Sequence, residues 1–69
     1  MTPRQLVLRN LAVNYYFDEP ETPADTAVVF LHGWRSNALI WQPIFAKLRG
    51  KFRLYALDLP GFGQSEVPR

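Results

Sequence analysis

The sequence predicts an α/β fold in which an antiparallel hairpin precedes one right-handed βαβ unit. Apolar and polar residues alternate over the first two segments, 5–9 and 11–17, which is the pattern of half-buried strands. A later segment, Ala27–Leu31, is apolar at every position, as is typical of a strand in a parallel sheet covered on both faces. A helical pattern then leads to another apolar strand, and such crossovers are right-handed in nearly every parallel sheet.

The hairpin is predicted from a period of two in the first seventeen residues. The apolar side chains that should share one face are Leu6, Leu8, Leu11, Val13 and Tyr15. Arg9 and Asn10 can form the tight turn between the strands, because asparagine tolerates a left-handed backbone. The next segment, 18–25, holds two prolines and four acidic residues, so we expect a surface loop there.

The helix is predicted to begin near Trp41 or Gln42, after a turn at 36–40. The apolar residues at helical spacing are Trp41, Ile44, Phe45 and Leu48. Pro43 lacks an N–H and therefore fits the first turn of a helix, whereas Gly50 suits the position after the last turn.

The last predicted strand spans 52–57, and a glycine-rich loop follows it at 58–65. The third and fourth strands are both apolar enough to need cover on two faces, but the sequence contains a single helix to provide it. A chain of 69 residues is also near the lower limit for folding on one hydrophobic core. We therefore expect residues 1–69 to be an incomplete part of a single domain.

Composition excludes several classes of protein. With 48% hydrophobic and 20% charged residues, the chain is not of the disordered type. It has no cysteine and a single histidine, His32, so we expect neither a metal site nor a cofactor. The net charge is only +2 and aromatics do not interleave the basic residues, so we expect no nucleic-acid partner. The longest apolar run, Ala27–Leu31, is too short for a membrane span and no export signal is evident, so we expect a cytoplasmic location.

Polar residues and glycines follow both strands of the predicted βαβ unit. His32-Gly33-Trp34 comes directly after the third strand, and the 58–65 loop comes after the fourth. Ligands bind at the carboxyl ends of parallel strands, and turns at that edge can aim backbone N–H groups at developing negative charge. The sequence therefore predicts a site of the oxyanion-hole kind at this edge.

These residues resemble the α/β-hydrolase superfamily. An apolar strand ends in His32-Gly33-Trp34, and one helix later the chain reads Asp58-Leu59-Pro60-Gly61-Phe62-Gly63-Gln64-Ser65. The match extends over essentially the whole chain and corresponds to the N-terminal portion of the family's catalytic domain. It is most similar to the small carboxylesterases, which implies a small-molecule, ester-like substrate.

The resemblance also implies roles for particular residues. The backbone N–H of Trp34 would be one donor of the oxyanion hole, and His32 and Gly33 would shape its loop. In the 58–65 loop, the residues with a structural role would be Asp58, Pro60, Gly61, Gly63 and Ser65. The nucleophile of the family lies in a Gly-x-Ser-x-Gly turn, and the nearest approach here, residues 63–67, lacks the final glycine. Since nucleophile, acid and base have no counterpart in residues 1–69, we expect this chain alone to be inactive.

Three other interpretations remain in view. A miniature triad of His32, Asp58 and either Ser65 or Ser36 is disfavoured, because nothing in the sequence holds a hydroxyl against the imidazole. The chain can instead be a non-catalytic or split-partner interaction protein that self-associates through an uncovered sheet. It can also belong to a relative with different chemistry, such as a dehalogenase, an epoxide hydrolase or a lyase.

Overall fold

The described strands form one mixed sheet, in agreement with the predicted α/β class. A computed structural model describes residues 1–20 and 24–67. The strands are β1 (Thr2–Leu8), β2 (Leu11–Asp18), β3 (Ala27–Leu31) and β4 (Arg53–Leu57). They lie in the order β1-β2-β4-β3, with β3 parallel to β4 and the other two pairings antiparallel. The hairpin and the strand–helix–strand unit are thus as predicted, although β1 spans Thr2–Leu8 and not 5–9, and β4 begins one residue later than predicted. The right-handedness of the crossover stays a prediction.

The hairpin turns at Arg9 and Asn10, as predicted from the sequence. Both residues have positive φ angles, 48° and 66°. Two successive left-handed residues make a turn of type I′, whose twist matches that of the flanking strands. Of the surface loop predicted at 18–25, residues 21–23 lie outside the described residues, as do 68 and 69 at the end of the predicted domain.

The regular helix begins at Gln42, as predicted, whereas part of the turn predicted at 36–40 is a 3₁₀ helix. A 3₁₀ helix, Ala38–Trp41, leads directly into α1 (Gln42–Leu48). The side chain of Asn37 caps the 3₁₀ helix by accepting a hydrogen bond from the Leu39 N–H at 2.9 Å. Pro43 lies in the first turn of α1, and Gly50 just beyond its end has a φ of 85°. The two helices together span the crossover from β3 to β4.

One face of the sheet packs against these helices and holds the core. The buried apolar residues of this cluster are Tyr16, Ala38, Phe45, Leu54 and Ala56. The ring of Phe30 lies 5.0 Å from that of Trp41 and 5.7 Å from that of Phe45. Complete burial of Phe45 contributes about 1.5–3 kcal/mol, and it fixes α1 over β3 and β4.

No helix covers the other face of the sheet in the described residues, although Val13 in β2 is buried there, and we call it the uncovered face. Val29 and Leu31 point to this face and remain 58% and 57% exposed, although they lie in the most apolar strand. This exposure agrees with the prediction that a single helix can cover only one face of β3 and β4. No helix in the described ranges is long and apolar enough to cross a membrane.

The five apolar residues expected to share one face of the hairpin do so, but that face is not the one packed against the helices. Tyr16 is the buried tyrosine and faces the helices, whereas Tyr15 pairs with Leu57 on the uncovered face. The physical reason is that β2 is an interior strand, paired with β1 and β4, so both of its faces carry apolar residues. A period of two identifies the faces but does not say which one a helix will cover.

Candidate active site

The two polar loops predicted from the sequence lie side by side. Strands β3 and β4 are parallel and adjacent, with Leu31 paired to Leu57, so the segments that follow them leave the same edge of the sheet. We call residues 32–38 the first loop, whose last residue also begins the 3₁₀ helix, and residues 58–67 the second loop. Ligands of open parallel sheets bind at this edge, so the site is built where the fold favours one.

The first loop contains a tight turn that holds Trp34. The Ser36 N–H donates to the Gly33 carbonyl at 3.2 Å, which closes a four-residue turn with Trp34 at its second position. Within the described residues, the Trp34 N–H donates to no protein acceptor. Arg35, at the third position, has a φ of 60°, a conformation that L residues rarely adopt outside such turns. In the described part of the chain, the Trp34 N–H is thus a backbone donor without a protein acceptor, in a turn at the carboxyl end of β3.

Three aromatic rings line the same corner. The indole of Trp34 is 81% exposed and meets the Phe62 ring edge to face, with 5.4 Å between the ring centroids. Phe62 also meets the His32 ring edge to face at 5.4 Å. Since Phe62 belongs to the second loop and the other two to the first, these contacts pack the loops together.

His32 is buried and uses both ring nitrogens within the protein. Its Nε2 accepts a hydrogen bond from the Leu59 N–H at 3.0 Å, and its Nδ1 lies 2.8 Å from the Gly33 carbonyl oxygen. These partners assign the neutral tautomer with the proton on Nδ1, which donates to the carbonyl. A ring held in this way joins the two loops and has no free nitrogen for a proton-transfer step.

Asp58 is the most connected side chain of the site. It is 1% exposed, and its carboxylate accepts hydrogen bonds from three groups. The donors are the Ala38 N–H at 2.6 Å, the Asn14 side-chain amide at 2.8 Å and the Gln64 N–H at 3.0 Å. A buried carboxylate without such partners would be strongly unfavourable, so the three donors explain how Asp58 is tolerated in the core.

Ser65 and the glycines fix the second loop from within. The Ser65 hydroxyl is buried, donates to the Asp58 carbonyl and accepts from the Asn14 N–H at 2.8 Å. Gly61 has a φ of 88° and its N–H donates to the Glu66 carbonyl at 3.0 Å. A Cβ on Gly63 would overlap the Asp58 carboxylate, so only glycine fits there. Pro60 is exposed at the tip of the loop.

The miniature triad considered from the sequence is not assembled. Among the described residues, no hydrogen bond joins His32 to Ser65 or to Ser36. The Ser65 hydroxyl is engaged with the backbone N–H of Asn14 and the carbonyl of Asp58, and the His32 nitrogens are engaged with the two loops. The arrangement provides a free N–H donor, without an activated nucleophile beside it.

Sequence reasoning missed Asn14, which links β2 to the second loop. This buried residue donates through its side chain to Asp58, and its carbonyl accepts from the Asp58 N–H at 2.9 Å. The sequence feature that could have identified Asn14 is its position in β2, where a residue type that is unfavourable in strands stands between two apolar residues. Sequence reasoning also missed Glu66. Its side chain accepts a hydrogen bond from the Ala12 N–H, and its own N–H donates to the Ala12 carbonyl.

An apolar groove of about 440 Å³ adjoins the site on the uncovered face. Its lining residues are Leu8, Arg9, Leu11, Val13, Leu57, Leu59 and Pro60. Leu59 and Pro60 belong to the second loop, so the groove borders the candidate site along this loop. No three metal-ligating side chains cluster anywhere in the described ranges.

Comparison with known proteins identifies the class to which this fold and site belong. The family model described as the alpha/beta hydrolase fold matches residues 26–69, and the chain belongs to that family. Among its relatives, the pimeloyl-acyl-carrier-protein methyl ester esterase of Pectobacterium carotovorum is 48% identical over 48 residues. That alignment covers 70% of this chain and 19% of the esterase, so the chain spans about a fifth of the length of this relative.

Solved structures with the same fold catalyse different reactions. A membrane phospholipase A, described as a bacterial virulence factor, matches with a TM-score of 0.86 and 27% identity. The haloalkane dehalogenase DatA of Agrobacterium tumefaciens matches with a TM-score of 0.84 and 32% identity. Each match covers 96% of this chain and 21% of the other. The fold is therefore that of the family, while the reaction must be argued from the site.

Proposed function

We propose that these residues are the N-terminal part of the catalytic domain of a serine carboxylic-ester hydrolase, acting on a small ester in the cytoplasm. The observation that supports the proposal is the position of the Trp34 N–H, which lies in a tight turn at the carboxyl end of β3 and has no acceptor within the described residues. Relatives named as methyl ester esterases support ester hydrolysis as the reaction class.

The role proposed for Trp34 is electrostatic stabilisation of the transition state. When a nucleophile attacks an ester, negative charge develops on the carbonyl oxygen, and a fixed N–H stabilises that charge without having to reorganise. Trp34 supplies this donor through its backbone, while His32 and Gly33 hold the turn that aims it. By the family resemblance, a serine, a histidine and an acid outside residues 1–69 supply the nucleophile, the base and the group that orients the base.

The proposal predicts that the 69 residues alone do not turn over esters. Trp34 would supply one donor of the oxyanion hole, but the Ser65 hydroxyl is not a free nucleophile, because it is buried and bonded to backbone groups. The isolated chain should therefore neither hydrolyse p-nitrophenyl butyrate nor react with a serine-directed fluorophosphonate. Stoichiometric labelling of Ser65 or Ser36, located by mass spectrometry, would contradict this account.

Two other functions have specific support. The 32% identity to a haloalkane dehalogenase favours a different nucleophile on the same scaffold as the second candidate. The exposed Val29 and Leu31 favour an interaction protein that completes its sheet with a partner chain. The nucleophile distinguishes the enzymes from each other, and catalytic activity distinguishes them from an interaction protein.

The deciding experiment assays the full-length protein on three substrate classes. Short methyl and p-nitrophenyl esters, 1-chlorobutane and styrene oxide are each tested, and the protein is then incubated with a fluorophosphonate and digested for mass spectrometry. The proposal expects turnover of the esters alone, with one phosphonylated serine outside residues 1–69. Turnover of the haloalkane or the epoxide, without serine labelling, would assign the other chemistry.

A further inference from the structure

Asp58 connects the loop that carries Trp34 to the rest of the site. Its Oδ1 accepts from the N–H of Ala38, the first residue of the 3₁₀ helix and the residue at which the first loop ends. Its Oδ2 accepts from the Gln64 N–H in the second loop and from the Asn14 side chain in β2. A single carboxylate therefore bonds three separate parts of the chain.

A carboxylate suits this position better than any neutral isostere. All three groups around it are N–H donors, and an ionised carboxylate accepts at both oxygens and donates at neither. The 2.6 Å bond to Ala38 is short, as expected for a charge-assisted bond. In Asp58→Asn, one side of the amide would carry hydrogens facing at least one of these donors, so at least one bond would be lost.

The first loop is held at its two ends and strained between them. His32 accepts from Leu59 at one end, and Asp58 accepts from Ala38 at the other. Between these anchors Arg35 keeps a positive φ, which persists in a non-glycine residue only when the surrounding structure holds it. Loss of the Ala38 anchor should let this turn relax and move the Trp34 N–H.

We infer that Asp58 is a positioning residue for the oxyanion donor, in addition to its structural part in the second loop. It acts through Ala38 on the turn that aims the Trp34 N–H and touches no reacting atom. The inference rests on the proposed function, because the donor matters only if negative charge develops beside it. A displacement of about 1 Å at a catalytic group can cost about a hundredfold in rate, so a lost anchor is enough to be measured.

The test compares Asp58→Asn with Asp18→Asn in the full-length protein. Asp18 is a mostly buried carboxylate on β2, paired with Arg49 and the N-terminus at 3.7 Å, and the register places it at the opposite end of β4. Both variants lose charge-assisted contacts, but only Asp58 contacts the first loop. We expect Asp58→Asn to lower kcat about 10- to 100-fold with little change in KM, and Asp18→Asn to leave kcat within about twofold.

A second variant keeps the test decisive if Asp58→Asn does not fold. Ala38→Pro removes the N–H that Asp58 accepts and leaves the carboxylate in place. Asn37 before it already has the extended backbone that a following proline requires, with φ −158° and ψ 173°. The same selective fall in kcat, with weaker binding of a boronate transition-state analogue, is expected.

The outcomes separate the inference from the proposed function. Wild-type protein without ester hydrolysis overturns the proposed function and, with it, this inference. Wild-type activity that is retained in full by folded Asp58→Asn or Ala38→Pro overturns the inference alone. A parallel fall in kcat for Asp18→Asn would also overturn it, because the effect would then follow stability and not the position of the first loop.

Discussion

His32 accepts a hydrogen bond from the Leu59 N–H at 3.0 Å, and this bond joins the loops that follow two parallel strands. The histidine is therefore occupied in holding the site together. Its partner is a backbone donor in a partly buried position, and an unpaired buried N–H costs about 1–3 kcal/mol.

Replacing His32 with phenylalanine should test that structural part. The variant keeps a ring against Phe62 but leaves the Leu59 N–H without its acceptor. We expect the free energy of unfolding of the full-length protein, measured in urea, to fall by about 1–3 kcal/mol. His32→Gln, whose side-chain carbonyl can accept, should recover part of the loss. Equal stability of His32→Phe and wild type would contradict this account.

Two glycines of the site offer a matched pair of substitutions. Gly63 has a φ of 53° and no room for a Cβ beside Asp58, whereas Gly33 has no heavy atom within 4 Å of the same position and no positive φ. Gly63→Ala should lower the free energy of unfolding by about 2–5 kcal/mol, from backbone strain and overpacking together. Gly33→Ala should change it by about 0.5 kcal/mol or less. Thermal or urea unfolding of the two variants side by side checks both values, and similar costs would show that the second loop is not built as described.

The uncovered sheet face should make the isolated 69-residue chain self-associate. Leu31 lies on this face in β3, which is an edge strand of the described sheet, and edge strands with apolar side chains pair readily. Leu31→Lys should shift the chain toward monomer in sedimentation velocity at micromolar concentration. Val7→Lys is the control, because Val7 is also exposed and on an edge strand but lies on the opposite face by register. Association that is unaffected by Leu31→Lys, or equally reduced by both, would place the contact elsewhere.

Much of this fold could be predicted from local patterns, because each pattern had one physical solution. Consecutive apolar residues at Ala27–Leu31 predicted β3 to the residue, and Pro43 and Gly50 bounded α1. The turn at Arg9 and Asn10 followed from the period of two on either side. The inner orientation of Tyr16 could not be predicted, because it depends on which face a distant helix covers.

The site was predictable in position but less so in its contacts. Sequence order placed Trp34 and Asp58 at one sheet edge through the parallel pairing of β3 and β4. Asn14 and Ala38, which donate hydrogen bonds to Asp58, lie 44 and 20 positions away from it in the sequence. Local sequence patterns do not predict hydrogen bonds over such separations. Only the packed structure brings them together.

The central claim is that the Trp34 backbone N–H stabilises an oxyanion, and two substitutions at this residue test it most directly. Trp34→Pro removes the N–H and the indole, whereas Trp34→Ala removes the indole alone. Proline is favoured at the second position of such a turn, so the turn itself should persist. In the full-length protein we expect kcat for ester hydrolysis to be about 10²–10³-fold lower in Trp34→Pro than in Trp34→Ala, with KM nearly unchanged. Equal kcat values in the two folded variants would contradict the account.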